Sequence, residues 1–119
     1  MPKKRESIGT IDISPKTIRT IASQAVNQCY GVVGMAGKNV IDDITRLMVR
    51  GHHRGIEVSI EDEAIVIDVY VIVEYGVRIR TVAESIQHTV KFHVEKALGL
   101  PVEAVNVYVQ GLRMGREKT

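Results

Sequence analysis

The chain has 119 residues, with 16 lysines and arginines, 14 aspartates and glutamates, and a formal net charge of +2. This length is typical of one domain that buries roughly two-thirds of its unfolded surface, so neither a disulfide nor a metal staple is needed. The near balance of charge gives no strong indication of nucleic acid, and the single cysteine, Cys29, favours a reducing cytosol over a secreted disulfide framework.

Neither a secretory signal nor a membrane span is predicted. The first residues are basic, but no apolar segment of the kind found in signal peptides follows them. The longest apolar run, residues 64–73, is interrupted by Asp68 and has the length of a strand. We therefore expect one cytosolic domain over residues 7–113, with loose termini at residues 1–6 and 114–119. Such a protein would reach a membrane only through a partner or a surface patch.

The first predicted helix begins at Ser14 and Pro15, because serine is a good N-cap and proline suits the first helical position. Residues 8–13 before it alternate weakly and predict a short strand. Gly31 follows the helix and can take the left-handed conformation that often ends one. Cys29 lies on the apolar stripe of this helix, so we interpret it as a core residue rather than a nucleophile. The stripe comprises Ile18, Ile21, Ala22, Ala25, Val26 and Cys29.

A glycine-rich segment, residues 31–37, follows and is predicted to form an edge strand or a tight loop. Residues 39–49 then have the apolar spacing of a short helix, with Asn39 as a cap. This helix is amphipathic, and packing on the core is favoured over contact with a membrane surface.

The second half of the chain predicts two strands, a long helix and a third strand. Residues 56–60 and 64–74 alternate between apolar and polar side chains and should form an antiparallel hairpin. The long helix spans Ile79–Leu98 and ends at Gly99. Residues 105–110 alternate again. Because the helix connects them, the strands on either side of it should be parallel.

Together these elements predict an α/β (α+β) fold, in which a small mixed β-sheet has two main helices and one short helix packed on one face. The other face of the sheet is predicted to be open. It is polar enough to meet water and aromatic enough to meet a partner. Its predicted residues are Glu57, Ser59, Asp68, Tyr70, Ile72, Asn106, Tyr108 and Gln110.

No catalytic or cofactor site can be assembled from the sequence. The glycines have neither the phosphate-loop nor the dinucleotide-binding spacing. Glu84 and His88 lie four residues apart on the long helix, with Glu95 on the same stripe, but a solvated charged face explains them better than a metal site. The other carboxylates fit capping and turn positions. We predict that the chain is not an enzyme and has no cofactor or metal.

One alternative function is nucleic-acid binding. Gly31-Val-Val-Gly34 matches the GxxG pattern of the RNA-binding KH loop, which clamps the nucleotide backbone. The two middle residues are both valine, which favours a close-packed turn. The alternative remains a small RNA-binding module that uses this turn and its basic neighbours Lys38, Arg46, Arg50 and Arg54.

Phe92 is the only phenylalanine and falls on the polar face of the long helix. An isolated exposed aromatic residue is common and often has no function. Aromatic residues also concentrate at binding hot spots, so Phe92 is a candidate anchor for a protein partner.

Four sequence segments are more specific together than singly. Residues 13–15 read ISP before the first helix, and residues 29–36 read CYGVVGMA. Residues 67–76 read IDVYVIVEYG, and residues 105–113 read VNVYVQGLR. With the intervening helix, these segments resemble the alkaline shock protein family, small stress-associated proteins of mostly Gram-positive bacteria, over nearly the whole chain.

The resemblance implies a role in the envelope stress response or in cell-envelope homeostasis. Members of the family are non-enzymatic cytosolic proteins. Some self-associate, and some are held at the inner face of the cytoplasmic membrane by an anchor partner. No catalytic residues are carried over from the family. We expect a protein-binding, self-associating adaptor, with partner-binding residues Tyr70, Tyr108, Phe92, Gly31 and Gly34.

Overall fold

The computed structural model describes residues 8–35 and 55–114. These residues form two helices and four strands. The predicted helix at residues 39–49 lies outside the described residues. In chain order the elements are α1 (Pro15–Asn27), β1 (Val32–Met35), β2 (Ile56–Glu61), β3 (Ala64–Glu74), α2 (Ile79–Leu98) and β4 (Ala104–Arg113).

Helix α1 begins where the sequence predicts. The Ser14 hydroxyl accepts a hydrogen bond from the Thr17 backbone N–H at 3.3 Å, and Pro15 occupies the first turn. The helix ends at Asn27, and the Gln28 N–H reaches back to carbonyls of its last turn. Gly31 therefore does not cap α1. Its positive φ of +90° turns the chain into β1 instead.

The short strand predicted at residues 8–13 is wrong. These residues belong to no strand, and Ile8 and Ile11 are 92% and 91% exposed. The physical reason is that their weak alternation gives them no buried face. Only Ile13 packs partly against the core.

Strand β3 is the centre of a four-stranded mixed sheet, which confirms the predicted fold class. On one edge it pairs antiparallel with β2 along its first half and with β1 along its second half. On the other edge it pairs in parallel with β4 along nearly its whole length. The hairpin of β2 and β3 and the parallel pair around α2 are thus as predicted.

One face of the sheet carries the core. The odd-numbered residues of β3 are at most 4% exposed and pack against α1 and α2. Cys29 is also buried there, as its place on the apolar stripe predicts. A strand presents alternate side chains to opposite faces, so this burial directs the even-numbered residues of β3 away from the helices. The main buried residues are Ile18, Ala22, Val26, Ile65, Ile67, Val69, Val71, Val73, Val82, Ile86, Val90 and Val94.

Gly31 lets the turn before β1 approach α2 closely. A Cβ atom at this position would lie 2.9 Å from the Val82 Cγ2 atom, which is closer than real Cβ contacts. The Gly31 carbonyl accepts a hydrogen bond from the Glu74 N–H at 2.9 Å, which fixes the turn at the end of β3. Gly34 differs, because an added Cβ would meet nothing within 4 Å.

The pair Gly31→Ala and Gly34→Ala tests this close approach. We expect Gly31→Ala to lower the free energy of unfolding by about 1–3 kcal/mol, because it adds a left-handed backbone penalty and a clash with Val82. The matched variant Gly34→Ala should change it by about 1 kcal/mol or less. Urea unfolding followed by circular dichroism measures both. Equal effects of the two substitutions would contradict the role of Gly31.

Candidate functional site

The face of the sheet opposite the helices is hereafter the open face. The register aligns its side chains in rows across three strands. Glu57 of β2, Asp68 of β3 and Asn106 of β4 form one row, and the next row towards the end of β3 contains Tyr70 and Tyr108. None of the described helices packs on this face. Its residues are Glu57, Ser59, Glu61, Val66, Asp68, Tyr70, Ile72, Glu74, Ala104, Asn106, Tyr108 and Arg113.

Tyr70 and Tyr108 form a stacked aromatic pair at the centre of the open face. Their ring centroids are 4.8 Å apart and their planes differ by 18°. The parallel register causes this, since it places the two residues directly opposite each other on β3 and β4. Tyr108 is 42% exposed, whereas Tyr70 is partly buried. The structure thus brings together two of the predicted site residues and leaves their rings accessible from one side.

The open face is acidic, although the whole chain has a net charge of +2. Asp68 accepts a hydrogen bond from the Asn106 side-chain amide at 2.9 Å. Burial raises the pKa of Tyr70 above its ordinary value of 10.0, and the nearby charges of Glu57 and Asp68 raise it further. The charged residues of the face are Glu57, Glu61, Asp68, Glu74 and Arg113.

A β-bulge in β4 alters the end of the open face. Val109 lies opposite Val71, but the next residue of β3, Ile72, lies opposite Gly111. Gln110 therefore has no partner on β3, and the regular alternation predicted for it is interrupted. Beyond the bulge, Arg113 returns to the open face opposite Glu74.

Phe92 lies on α2, on the helix side of the sheet, so it shares no surface with the tyrosine pair. It is 58% exposed, which confirms its predicted place on the outer face of the helix. Its ring meets the His93 ring edge-on, with centroids 5.4 Å apart, and the Lys96 ammonium lies 5.5 Å from its centroid.

An open groove of about 590 Å³ separates Phe92 from the start of β4; we call it the Phe92 groove. Its walls are joined by polar contacts from α2 to the loop before β4. The Glu95 carboxylate accepts the Val102 N–H at 2.7 Å, and the Lys91 ammonium donates to the Val102 carbonyl at 2.8 Å. The bond from Val102, followed by the Lys91 contact, lowers the pKa of Glu95. The other lining residues are Gln87, His88, Glu103, Ala104, Val105 and Asn106.

The two glycines of the site prediction have different environments. Gly31 contacts α2, as described above, and Gly34 lies within β1 opposite Ile72. The Gly31-to-Gly34 segment is therefore mostly strand, paired with β3, and not a free loop that could wrap around a nucleotide backbone. The basic residues of the RNA-binding alternative lie outside the described residues. They are Lys38, Arg46, Arg50 and Arg54.

Sequence reasoning missed the two other tyrosines. Tyr30 is 80% exposed and Tyr75 is 59% exposed, and both line an open groove of about 430 Å³ with Arg78. The groove lies where β3 ends and α2 begins. The sequence indicates this groove only weakly, because each tyrosine lies in a turn beside a glycine. In a turn, neither the helical nor the strand periodicity of apolar residues predicts which side chains are exposed.

The described carboxylates of α2 are engaged locally. Glu84 pairs with Arg80 at 3.2 Å, as helix neighbours four residues apart often do. Within residues 8–35 and 55–114, no three histidine, cysteine, aspartate or glutamate side chains are grouped as a metal site would require. The helices of the same ranges include none that could span a membrane.

Comparison with known proteins gives consistent matches over nearly the whole chain. The model of the alkaline shock protein family, described as having a cell envelope-related function, matches residues 3–114. The uncharacterized protein YloU of Bacillus subtilis is 46% identical over 112 residues, covering 92% of this chain and 93% of the relative. The uncharacterized protein Spy1614 of Streptococcus pyogenes is 39% identical over 108 residues, covering 89% of each chain. No solved structure matches.

The raised pKa of Tyr70 predicts a pH dependence. The folded state holds the phenolic proton more tightly than the unfolded chain, so Tyr70 should lower the free energy of unfolding as pH rises above 10.0. Tyr70→Phe should remove this part of the alkaline destabilisation. Urea unfolding on either side of that pH measures the difference, with Tyr75→Phe as the matched control. An unchanged pH profile in Tyr70→Phe would contradict a raised pKa of Tyr70 in the folded state.

Proposed function

Because the chain belongs to the alkaline shock protein family, whose function is cell envelope-related, we propose that it is a non-enzymatic adaptor of the envelope stress response. It binds protein partners through the open face and self-associates. It works in the cytoplasm, at the inner face of the membrane, where a partner holds it.

The observation that carries the proposal is the stacked pair of Tyr70 and Tyr108 on a sheet face that the described helices leave uncovered. Tyrosine is enriched at binding hot spots, because it combines a large apolar ring with a polar end and few rotatable bonds. The two rings are already held in place by the pairing of β3 and β4. Binding a partner would therefore cost little side-chain conformational entropy.

The charge of the open face indicates the chemistry of the partner. Its carboxylates surround the tyrosines and would attract a segment that combines lysine or arginine with apolar side chains. Membrane proteins concentrate lysine and arginine in the cytoplasmic loops next to their spans. A basic juxtamembrane segment of a membrane-anchored envelope protein therefore complements this face. Binding to it would also bring the chain to the membrane.

Variants of the tyrosine pair test the proposal. Tyr70→Ala and Tyr108→Ala should each reduce the recovery of membrane-anchored proteins from detergent-solubilised envelope by on the order of tenfold, the loss typical of an aromatic hot spot. Recovery by the unaltered chain should fall as salt increases, because the contact is partly electrostatic. Co-purification with quantitative mass spectrometry measures both.

The matched control is Tyr30→Ala, which removes an exposed tyrosine outside the open face. It should recover partners like the unaltered chain, and circular dichroism should show all three variants folded. Normal recovery by both open-face variants would refute the open-face proposal. Recovery of RNA and ribosome-associated proteins in place of envelope proteins would favour the nucleic-acid alternative.

A further inference from the structure

The outer edge of β4 is a long unprotected strand edge. No other strand of the described residues pairs with it, and Arg113 is the only charged residue among its ten. Exposed strand edges readily pair with another chain, and proteins usually protect them with charges, proline or short length. The outer edge of β2 is protected in this way, since β2 has six residues and carries Glu57 and Glu61. β4 lacks this protection except for its bulge.

The directions of the backbone groups follow from the contacts of β3. The N–H of Tyr70 donates to the Gly55 carbonyl at 2.8 Å, and the N–H of Glu74 donates to the Gly31 carbonyl at 2.9 Å. Even-numbered residues of β3 therefore direct their backbone groups towards β2 and β1. The odd-numbered residues direct theirs towards β4.

This alternation leaves backbone groups of β4 without a partner on β3. In the parallel register, residues of β4 opposite the odd-numbered residues of β3 point their N–H and C=O groups outwards. The Gln87 side-chain amide donates to one of these outward carbonyls, that of Val105, at 3.0 Å. The outward residues before the bulge are Val105, Val107 and Val109.

The two ends of β4 are complementary to each other. Glu103 is exposed immediately before the strand, beside the Phe92 groove. The far end carries Arg113 and two exposed apolar side chains, Leu112 at 48% and Met114 at 65%. One end thus borders an open groove, and the other end offers exposed apolar side chains that could fill such a groove.

We propose that a second copy of this chain pairs with β4, antiparallel, about a two-fold axis near Tyr108. The proposal rests on the proposed function, since it names the surface through which the adaptor self-associates. In such a symmetric pair the start of each β4 lies against the end of the other. Because of the bulge, Arg113 of the second copy then lies opposite Ala104, and both side chains are on the open face.

The same arrangement covers the exposed apolar residues. Leu112 lies on the helix side of the sheet, opposite the core residue Val73. In the second copy it would therefore reach the Phe92 groove. Tyr108 lies near the axis, so the two aromatic pairs meet and the open faces form one continuous surface across both copies. Binding a partner and pairing with a copy thus use adjoining surfaces.

A charge exchange tests the pairing. Ala104→Arg should weaken self-association on the order of tenfold, because it creates two like-charge contacts with Arg113 in the symmetric pair. The double variant Ala104→Arg/Arg113→Glu should restore it, because each of the two contacts then joins opposite charges. Within one chain the two residues are separated by the length of β4, roughly 30 Å, so restoration requires contact between copies. Sedimentation velocity over a range of protein concentrations measures the association.

Two further variants complete the test. Leu112→Asp should also weaken self-association, because it places a charge against the Phe92 groove. Glu61→Arg, an equally drastic change on β2, should leave it unaltered. Normal association of Ala104→Arg and Leu112→Asp, or a double variant as weak as Ala104→Arg, would overturn the β4 pairing but would not contradict self-association through another surface. A monomeric unaltered chain at all concentrations would overturn self-association itself.

Discussion

The burial of one face of β3 is the constraint on which the other features of this protein depend. Its odd-numbered side chains lie between α1 and α2, and the strand is paired on both edges. Because side chains alternate along a strand, this burial also determines that Asp68, Tyr70 and Ile72 point away from the helices. A register slip of one residue would move the apolar set out of the core and the tyrosine into it, so the hydrophobic effect fixes the open face as firmly as the core.

The open face and the helix side of the sheet also differ in charge. Carboxylates predominate on the open face, whereas most of the described lysines and arginines lie on the helices. The small net charge of the chain therefore conceals two sides of opposite character. In the proposed function, the acidic side binds a basic segment of an envelope protein. The outer edge of β4, which adjoins that side and carries Arg113 as its one charged residue, would enlarge the binding surface by joining two copies.

Periodicity predicted most of the fold. The spacing of apolar residues placed α1, α2 and the three longer strands, and the helix between β3 and β4 predicted that these strands are parallel. It also assigned Tyr70 and Tyr108 to one face, but their stacking follows from the register, which alternation alone does not give. The strand predicted at residues 8–13 is wrong because weak alternation alone does not make a strand. These residues have neither a neighbouring strand to pair with nor a buried face.

Features that depend on local tertiary geometry could not be predicted from the sequence. The positive φ of Gly31 is predictable from its residue type, but its contact with Val82 depends on where α2 packs. The bulge at Gln110 and the groove beside Tyr30 and Tyr75 likewise depend on tertiary structure. These features share a property: each is set by the packing of elements distant in the chain. The residue pattern of a single helix or strand does not predict how it packs against distant elements.

The central claim is that the face left free by the core is the face that binds envelope proteins. Site-specific photo-crosslinking in native cells tests it most directly, with a benzophenone amino acid at Ser59, exposed on the open face, or at Gln24, exposed on α1. We expect adducts with membrane-anchored envelope proteins from position 59 and none from position 24. Adducts from position 24 together with none from position 59 would contradict it.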